Sequence, residues 1–167
     1  AYTFDFAHQP NAPHASARNL YRALNDDLRE RDSRRRKSVL QSWGGYLCYF
    51  VGAVRKLPDE SGERYRAWND KGNVPNQYVK GTLVQWGGAS STSRDLKVAQ
   101  KFAQARGVVF KITIVAGKDI SCCSYFPGEA EVLILPGSKF MVTSDLHEKD
   151  GFFYVDLQQS SGRTVVS

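Results

Sequence analysis

An α+β fold is what this sequence predicts, with a mixed or antiparallel β-sandwich core and N-terminal helices packed on one side. Three observations point to it. Apolar residues recur at helical spacing through the first third of the chain. After Pro58 the texture changes to short alternating segments, of which VVFKITIV at 108–115 is the cleanest. Only one short helical stretch interrupts those segments. The 167 residues suffice for one domain with its own core. The expected organisation is an N-terminal arm at 1–14, a single domain at 15–158 and a polar tail at 159–167.

The arm is expected to be irregular, because Pro10 and Pro13 interrupt a polar stretch. Helical spacing starts after Ser16, a candidate N-cap, with Leu20, Leu24 and Leu28 four apart and Tyr21 beside them. A second helix is expected over 37–55. There Val39, Leu40, Trp43, Leu47, Phe50, Val51 and Val54 form a broad apolar face, and Pro58 ends it. Gly44-Gly45 marks a kink or a close contact in that helix. Its aromatic residues Trp43, Tyr46, Tyr49 and Phe50 read as core. Strands follow at 64–68 (RYRAW), 80–86 (KGTLVQW), 108–115, 118–121, 132–135, 140–142 and 151–157, with a short helix at 96–105.

The composition excludes several classes. No apolar run approaches the ~20 residues of a membrane span. The N-terminus lacks the charged and apolar regions of a signal peptide, and because it begins with Ala the chain is expected to be a mature form or an excised domain. His8, His14 and His147 are scattered and Cys48, Cys122 and Cys123 lack zinc spacing, so no metal site is predicted. The cysteines are expected to be reduced and buried, with one bridge from Cys48 to either neighbour left open. Of the net charge of +6, much lies in RERDSRRRK, from Arg29 to Lys37. This run reads either as a solvated helix face or a turn between helices, or as a phosphate- or acid-binding patch that could meet an acidic partner. No motif for specific nucleic-acid binding accompanies it.

The stretch FPGEAEVLILPGSKF at 126–140 organises the rest. Glu129 and Glu131 sit one residue apart at the mouth of a buried strand, and strand alternation would aim both carboxylates into one space. Such a pair is either a solvated strand end or a site needing a cationic partner. Two earlier features keep it company: Arg66 on an early strand, and a Ser91-Thr92-Ser93 turn after the next one. Singly, these read as an edge charge and a helix cap.

Taken in order, YRAW at 65–68, STS at 91–93 and GEAEVLILPGSKF at 128–140 resemble the arginine–serine–glutamate class of mono-ADP-ribosyltransferases, which includes vertebrate ecto-enzymes and bacterial toxins. The resemblance covers residues 20–157. Ala67 departs from the glycine that often follows the arginine, and Tyr21-Arg22 is a decoy on a helix.

The resemblance implies an NAD-dependent enzyme that transfers ADP-ribose to arginine side chains of a target protein and releases nicotinamide. NAD would be a substrate, and no further cofactor is implied. Glu131 would stabilise positive charge developing on the ribose as the glycosidic bond opens. Arg66 would clamp the phosphates. Ser91 would hold the nicotinamide ribose, with neighbouring Ser90 an ambiguity, while Thr92 and Ser93 would bind NAD or shape the turn. Glu129 would face the acceptor arginine. Tyr125 and Phe126 would contact the acceptor protein or belong to the core. A secreted toxin or effector domain is the implied setting. An NAD glycohydrolase on the same scaffold and a non-enzymatic basic binding module are the competing readings.

Overall fold

The computed structural model describes residues 20–69, 72, 74–103, 107–122, 124, 128 and 130–161. The expected arm at 1–14, the Ser16 cap, Glu129, Tyr125 and Phe126 lie outside the described residues.

Two helices come first. α1 (Leu20–Leu28) buries Leu24 and Leu28, as their spacing requires. α2 (Ser33–Val54) begins within the basic run, four residues earlier than expected. Its start is fixed by Asp32, whose carboxylate accepts from the backbone N–H groups of Arg34 (3.0 Å) and Arg35 (2.9 Å). The helix runs unbroken through Gly44-Gly45. Trp43 Nε1 donates to Asp27 Oδ2 (2.7 Å) and ties α2 to α1. The expectation that α2 buries its aromatic face is corrected. Val54 is its one buried residue, Trp43, Tyr46 and Phe50 form a half-buried ring ladder, and Tyr49 is 83% exposed. Cys48 and Cys122 are both exposed, against the expectation of buried thiols, and Cys48 is unbridged.

The remainder is β1 (Asp59–Trp68), α3 (Val74–Gln77), β2 (Leu83–Trp86), β3 (Ser90–Ser93), α4 (Leu96–Ala103), β4 (Val108–Asp119), β5 (Glu131–Ile134), β6 (Ser138–Val142), β7 (His147–Lys149) and β8 (Phe152–Gln159). The strands lie in the order β1-β3-β5-β4-β8-β6-β2, with β7 beside β8. β1 also pairs with β4 along most of its length, so β1, β3, β5 and β4 close a circuit. All pairings are antiparallel except β4 with β8. The two strands expected at 108–115 and 118–121 are one long β4, which lets it serve β1, β8 and β5 in turn. β1 starts five residues early and absorbs the extra length in a bulge at Gly62, with φ at 110°. β7 was not expected. It forms a hairpin with β8 around Asp150-Gly151, whose φ values of 53° and 79° suit that turn pair. The polar tail begins later than expected, because buried Gln159 accepts from Val115 N (2.8 Å) and Ala116 N (3.0 Å).

Alternation sorts the side chains into cores. Phe110, Ile112, Ile114, Val132, Ile134, Phe140, Val155 and Leu157 fill the interior between the strands. The opposite face of β1 and β4 packs on α4, where buried Ala99 and Ala103 allow close approach. Val54 at the end of α2 packs with Ala89, Ile120 and Leu133. No helix of the described residues is long and apolar enough to cross a membrane.

Candidate active site

β3 is the strand on which the site is assembled. On one side it meets β1 at a single register position, Tyr65 opposite Ser93. On the other it pairs fully with β5, setting Ser93 opposite Glu131 and Ser91 opposite Leu133. Directly opposed residues share a face, so Ser91, Ser93 and Glu131 lie on one side of the sheet. Arg66 lies opposite Phe110 and shares the interior face with Thr92 and Ser90. Beyond Tyr65 and Ser93 the two strands part, and Arg66 reaches over the gap. Its Nη1 donates to the Ser91 carbonyl at 2.6 Å.

A cleft of about 340 Å³ opens at that gap, with Arg66, Trp86, Tyr78, Gly88 and Ser90 among its walls. The Arg66 guanidinium stands 5.9 Å from the centroid of the Trp86 ring. Trp86 Nε1 donates to the Tyr78 hydroxyl (3.0 Å), and burial pushes the Tyr78 phenol up. The far wall is the end of α1 and the turn into α2. It can lie so close because residues 87 and 88 are glycines. A Cβ on Gly87 would meet the Leu28 carbonyl oxygen at 2.7 Å, and one on Gly88 would meet Asn25 Oδ1 at 2.6 Å.

Glu131 opens β5 and is 5% exposed. Ser124 Oγ donates to its Oε2 at 3.0 Å, and its carbonyl accepts from Ile120 N at 3.2 Å. The residue before it, Ala130, has φ at 47°. β5 begins at Glu131, and the backbone leaves the extended region at Ala130.

The segment from β4 to β5 is braced by Arg94, the residue after β3. Its guanidinium donates to Glu60, and to Asp119 Oδ2 at 2.8 Å, at the end of β4. Its backbone N–H reaches the Ala130 carbonyl at 3.4 Å, just before β5. Glu60 also takes Arg64 Nη2 at 2.7 Å. Asp119 Oδ1 accepts from Ser121 N (2.8 Å) and Ser121 Oγ (2.6 Å). Those serine bonds, and then Arg94, hold the Asp119 carboxyl down at about 2. The Arg94 hydrogen bond leads the causes that depress Glu60.

A sequence model of NAD:arginine ADP-ribosyltransferases matches residues 10–164. The chain belongs to the NAD:arginine ADP-ribosyltransferase family. A Mycobacterium avium (strain 104) protein, named as a candidate NAD(+)–arginine ADP-ribosyltransferase Mav, is 37% identical over 114 residues. That match covers 68% of this chain and 13% of the mycobacterial protein. The ADP-ribosyltransferase Vis of Vibrio splendidus, solved in complex with agmatine, superposes with a TM-score of 0.68 at 25% identity, over 88% of this chain and 71% of that one. HopU1 of Pseudomonas syringae pv. Tomato DC3000 gives 0.72 at 22% identity, over 86% and 67%. The α+β architecture is thus that of ADP-ribosyltransferases.

Among the residues expected to act, Arg66, Ser91 and Glu131 are gathered on or beside β3. Ser91-Thr92-Ser93 is strand rather than the expected turn. Thr92 is 3% exposed and donates Oγ1 to the Val132 carbonyl at 2.6 Å. Ser93 Oγ accepts from Asp95 N at 3.0 Å, ahead of α4. Ser90 lines the cleft, while Ser91 reaches it through its carbonyl contact with Arg66. Sequence reasoning missed Trp86, Tyr78, Ser124 and the Arg94 brace. The QWGG stretch at 85–88 carried a signal for the first, since paired glycines mark close backbone approach.

Proposed function

We propose that this domain transfers ADP-ribose from NAD to arginine side chains of a target protein, releasing nicotinamide. One observation carries the reading. β3 joins an arginine and a buried glutamate, the first through the Ser91 carbonyl and the second through register with Ser93. A dinucleotide lying across β3 can then place its phosphates by Arg66 and its nicotinamide ribose by Glu131. Family membership and the likeness to Vis support the chemistry.

Opening the glycosidic bond builds positive charge on the ribose ring. Glu131, held by Ser124, stabilises that charge more than it stabilises bound NAD, which is what lowers the barrier. The fixed, planar guanidinium of Arg66 suits a phosphate. Ser91 sits diagonally to Glu131 on the same face and holds the ribose. Thr92 and Ser93 shape the strand and its exit rather than touch NAD. Glu129 receives the acceptor guanidinium and accepts its proton during attack, with Tyr125 and Phe126 contacting the acceptor protein. Agmatine, bound in the Vis complex, carries the same guanidino group as arginine. Vis is a toxin and XopAI, another structural neighbour, a type III effector, so we place this domain with proteins that act on a target cell.

The test is labelled NAD with agmatine or a protein mixture, comparing Glu131→Gln with Glu129→Gln. Loss of transfer with retained hydrolysis in Glu129→Gln supports the division of roles. Unchanged transfer in both variants refutes it.

A further inference from the structure

The basic run at 29–37 is not one surface. Its members divide between the cleft and the outside of α2. Arg29, Arg31 and Arg36 line the same cleft as Arg66, against a single acid, Glu30. That acid is already engaged: its Oε1 accepts from the backbone N–H groups of Arg31 (2.9 Å) and Asp32 (3.0 Å). Asp32 is likewise engaged in capping α2. The two carboxylates hold the turn's backbone in shape. Arg31 and Arg36 have no ion-pair partner among the described residues, whereas Arg29 has Asp26 at 3.4 Å and Arg35 has Glu30 at 3.9 Å. Arg66, Arg31 and Arg29 all act electrostatically on the Tyr78 phenol, which places the three cations in one neighbourhood. Arg31 and Arg36, exposed and without an acid to pair with among the described residues, line the cleft that Arg66 also lines, and the oxygens of a diphosphate suit guanidinium forks.

We propose that Arg31, on the α1–α2 turn, and Arg36, in the first turn of α2, form with Arg66 a three-guanidinium clamp for the diphosphate of the dinucleotide. This deepens the functional reading above and rests on it for the identity of the ligand. It also assigns the unexplained basic run to substrate binding and separates it from Arg34 and Arg35, which the cleft does not include. Removing these side chains leaves the cap of α2 intact, because Asp32 holds backbone groups only.

Calorimetric titration with ADP and with adenosine tests the clamp, using the native chain, Arg31→Ala/Arg36→Ala and Arg34→Ala/Arg35→Ala. The clamp predicts that ADP binds the Arg31/Arg36 variant about 10- to 100-fold more weakly, the loss of charge-assisted hydrogen bonds. The Arg34/Arg35 variant retains native affinity, and adenosine distinguishes none of them. In steady state, KM for NAD rises in the Arg31/Arg36 variant while kcat stays near native, the mark of lost uniform binding. A lysine pair at 31 and 36, which keeps the charge without the fork, should fall between. ADP affinity within twofold of native in the Arg31/Arg36 variant overturns the clamp, as does an equal loss in the Arg34/Arg35 variant. The two readings fail separately. A native chain that binds ADP through Arg31 and Arg36 but releases no nicotinamide from NAD supports the clamp and contradicts the transferase.

Discussion

Replacing Arg94 with Met removes a cation that holds Glu60 and Asp119 together while keeping the length of the side chain. The side chains of Arg94, Glu60 and Asp119 are 33%, 26% and 36% exposed, so solvent screens both pairs. Each pair then contributes about 0.5–1 kcal/mol, and residual repulsion between the two acids brings the loss to about 1–3 kcal/mol. For a domain of this size the melting temperature should fall by roughly 2–4 °C per kcal/mol. The pH dependence has a definite sign. Asp119 is depressed from 3.8 to about 2, so its contribution is complete above 3.8 and is lost as pH falls through about 2. Arg94 is one cause of that depression, behind the bonds from Ser121, and Glu60 is lowered in the same direction. The difference between native and Arg94→Met should therefore be widest near neutrality and narrow as pH approaches about 2. The backbone bond from Arg94 to Ala130 survives, but losing the Asp119 tie frees the end of β4, which pairs with the start of β5, so nicotinamide release should also drop, by about tenfold. Thermal melts across pH, with NAD hydrolysis at neutral pH, are the assays. Equal melting temperatures at neutral pH, or a gap constant down to pH 2, would refute the reasoning.

Thr92→Val should lower stability by about 1 kcal/mol, because the Val132 carbonyl loses its buried donor, while NAD turnover stays within about twofold of native. A fall in turnover without a fall in stability would show that the hydroxyl touches substrate instead. Gly87→Ala should cost about 1–3 kcal/mol and raise KM for NAD, since the new methyl meets the Leu28 carbonyl and displaces the far wall of the cleft. Gly44→Ala, where nothing lies within 4 Å, should instead stabilise α2 by about 0.5–1 kcal/mol. Chemical denaturation of the two glycine variants separates these signs.

Much of this fold was legible because its signals are local. Leu24 and Leu28 keep helical spacing, and VVFKITIV alternates because one face meets the interior while Lys111, Thr113 and Val115 on the other are open to solvent beyond Val109, which packs on α4. Arg66, Ser91 and Glu131 were legible as residues. That Arg66 meets the Ser91 carbonyl was not, because that contact spans strands far apart in sequence. Ser91-Thr92-Ser93 read as a turn because serine and threonine after paired glycines usually signal one. In the fold, pairing with β5 on one side outweighs that local preference. The surroundings of the basic run were hidden for a similar reason. Sequence leaves Arg31 and Arg36 open between a solvated face and a binding patch, and the packing of the end of α1 on Gly87-Gly88 is what sets them in the cleft that Arg66 lines. The aromatic face of α2 shows the opposite failure, since periodicity reports an apolar stripe and not what covers it.

A single dinucleotide is expected to span β3, from the cleft at Arg66 to the buried carboxylate of Glu131. A crystal structure with a non-cleavable NAD analogue measures this directly. The account predicts the diphosphate against Arg66 and the nicotinamide ribose hydroxyl within hydrogen-bond distance of Glu131. An analogue seated with its nicotinamide ribose away from β3, and Glu131 still enclosed without contact to it, would contradict the account.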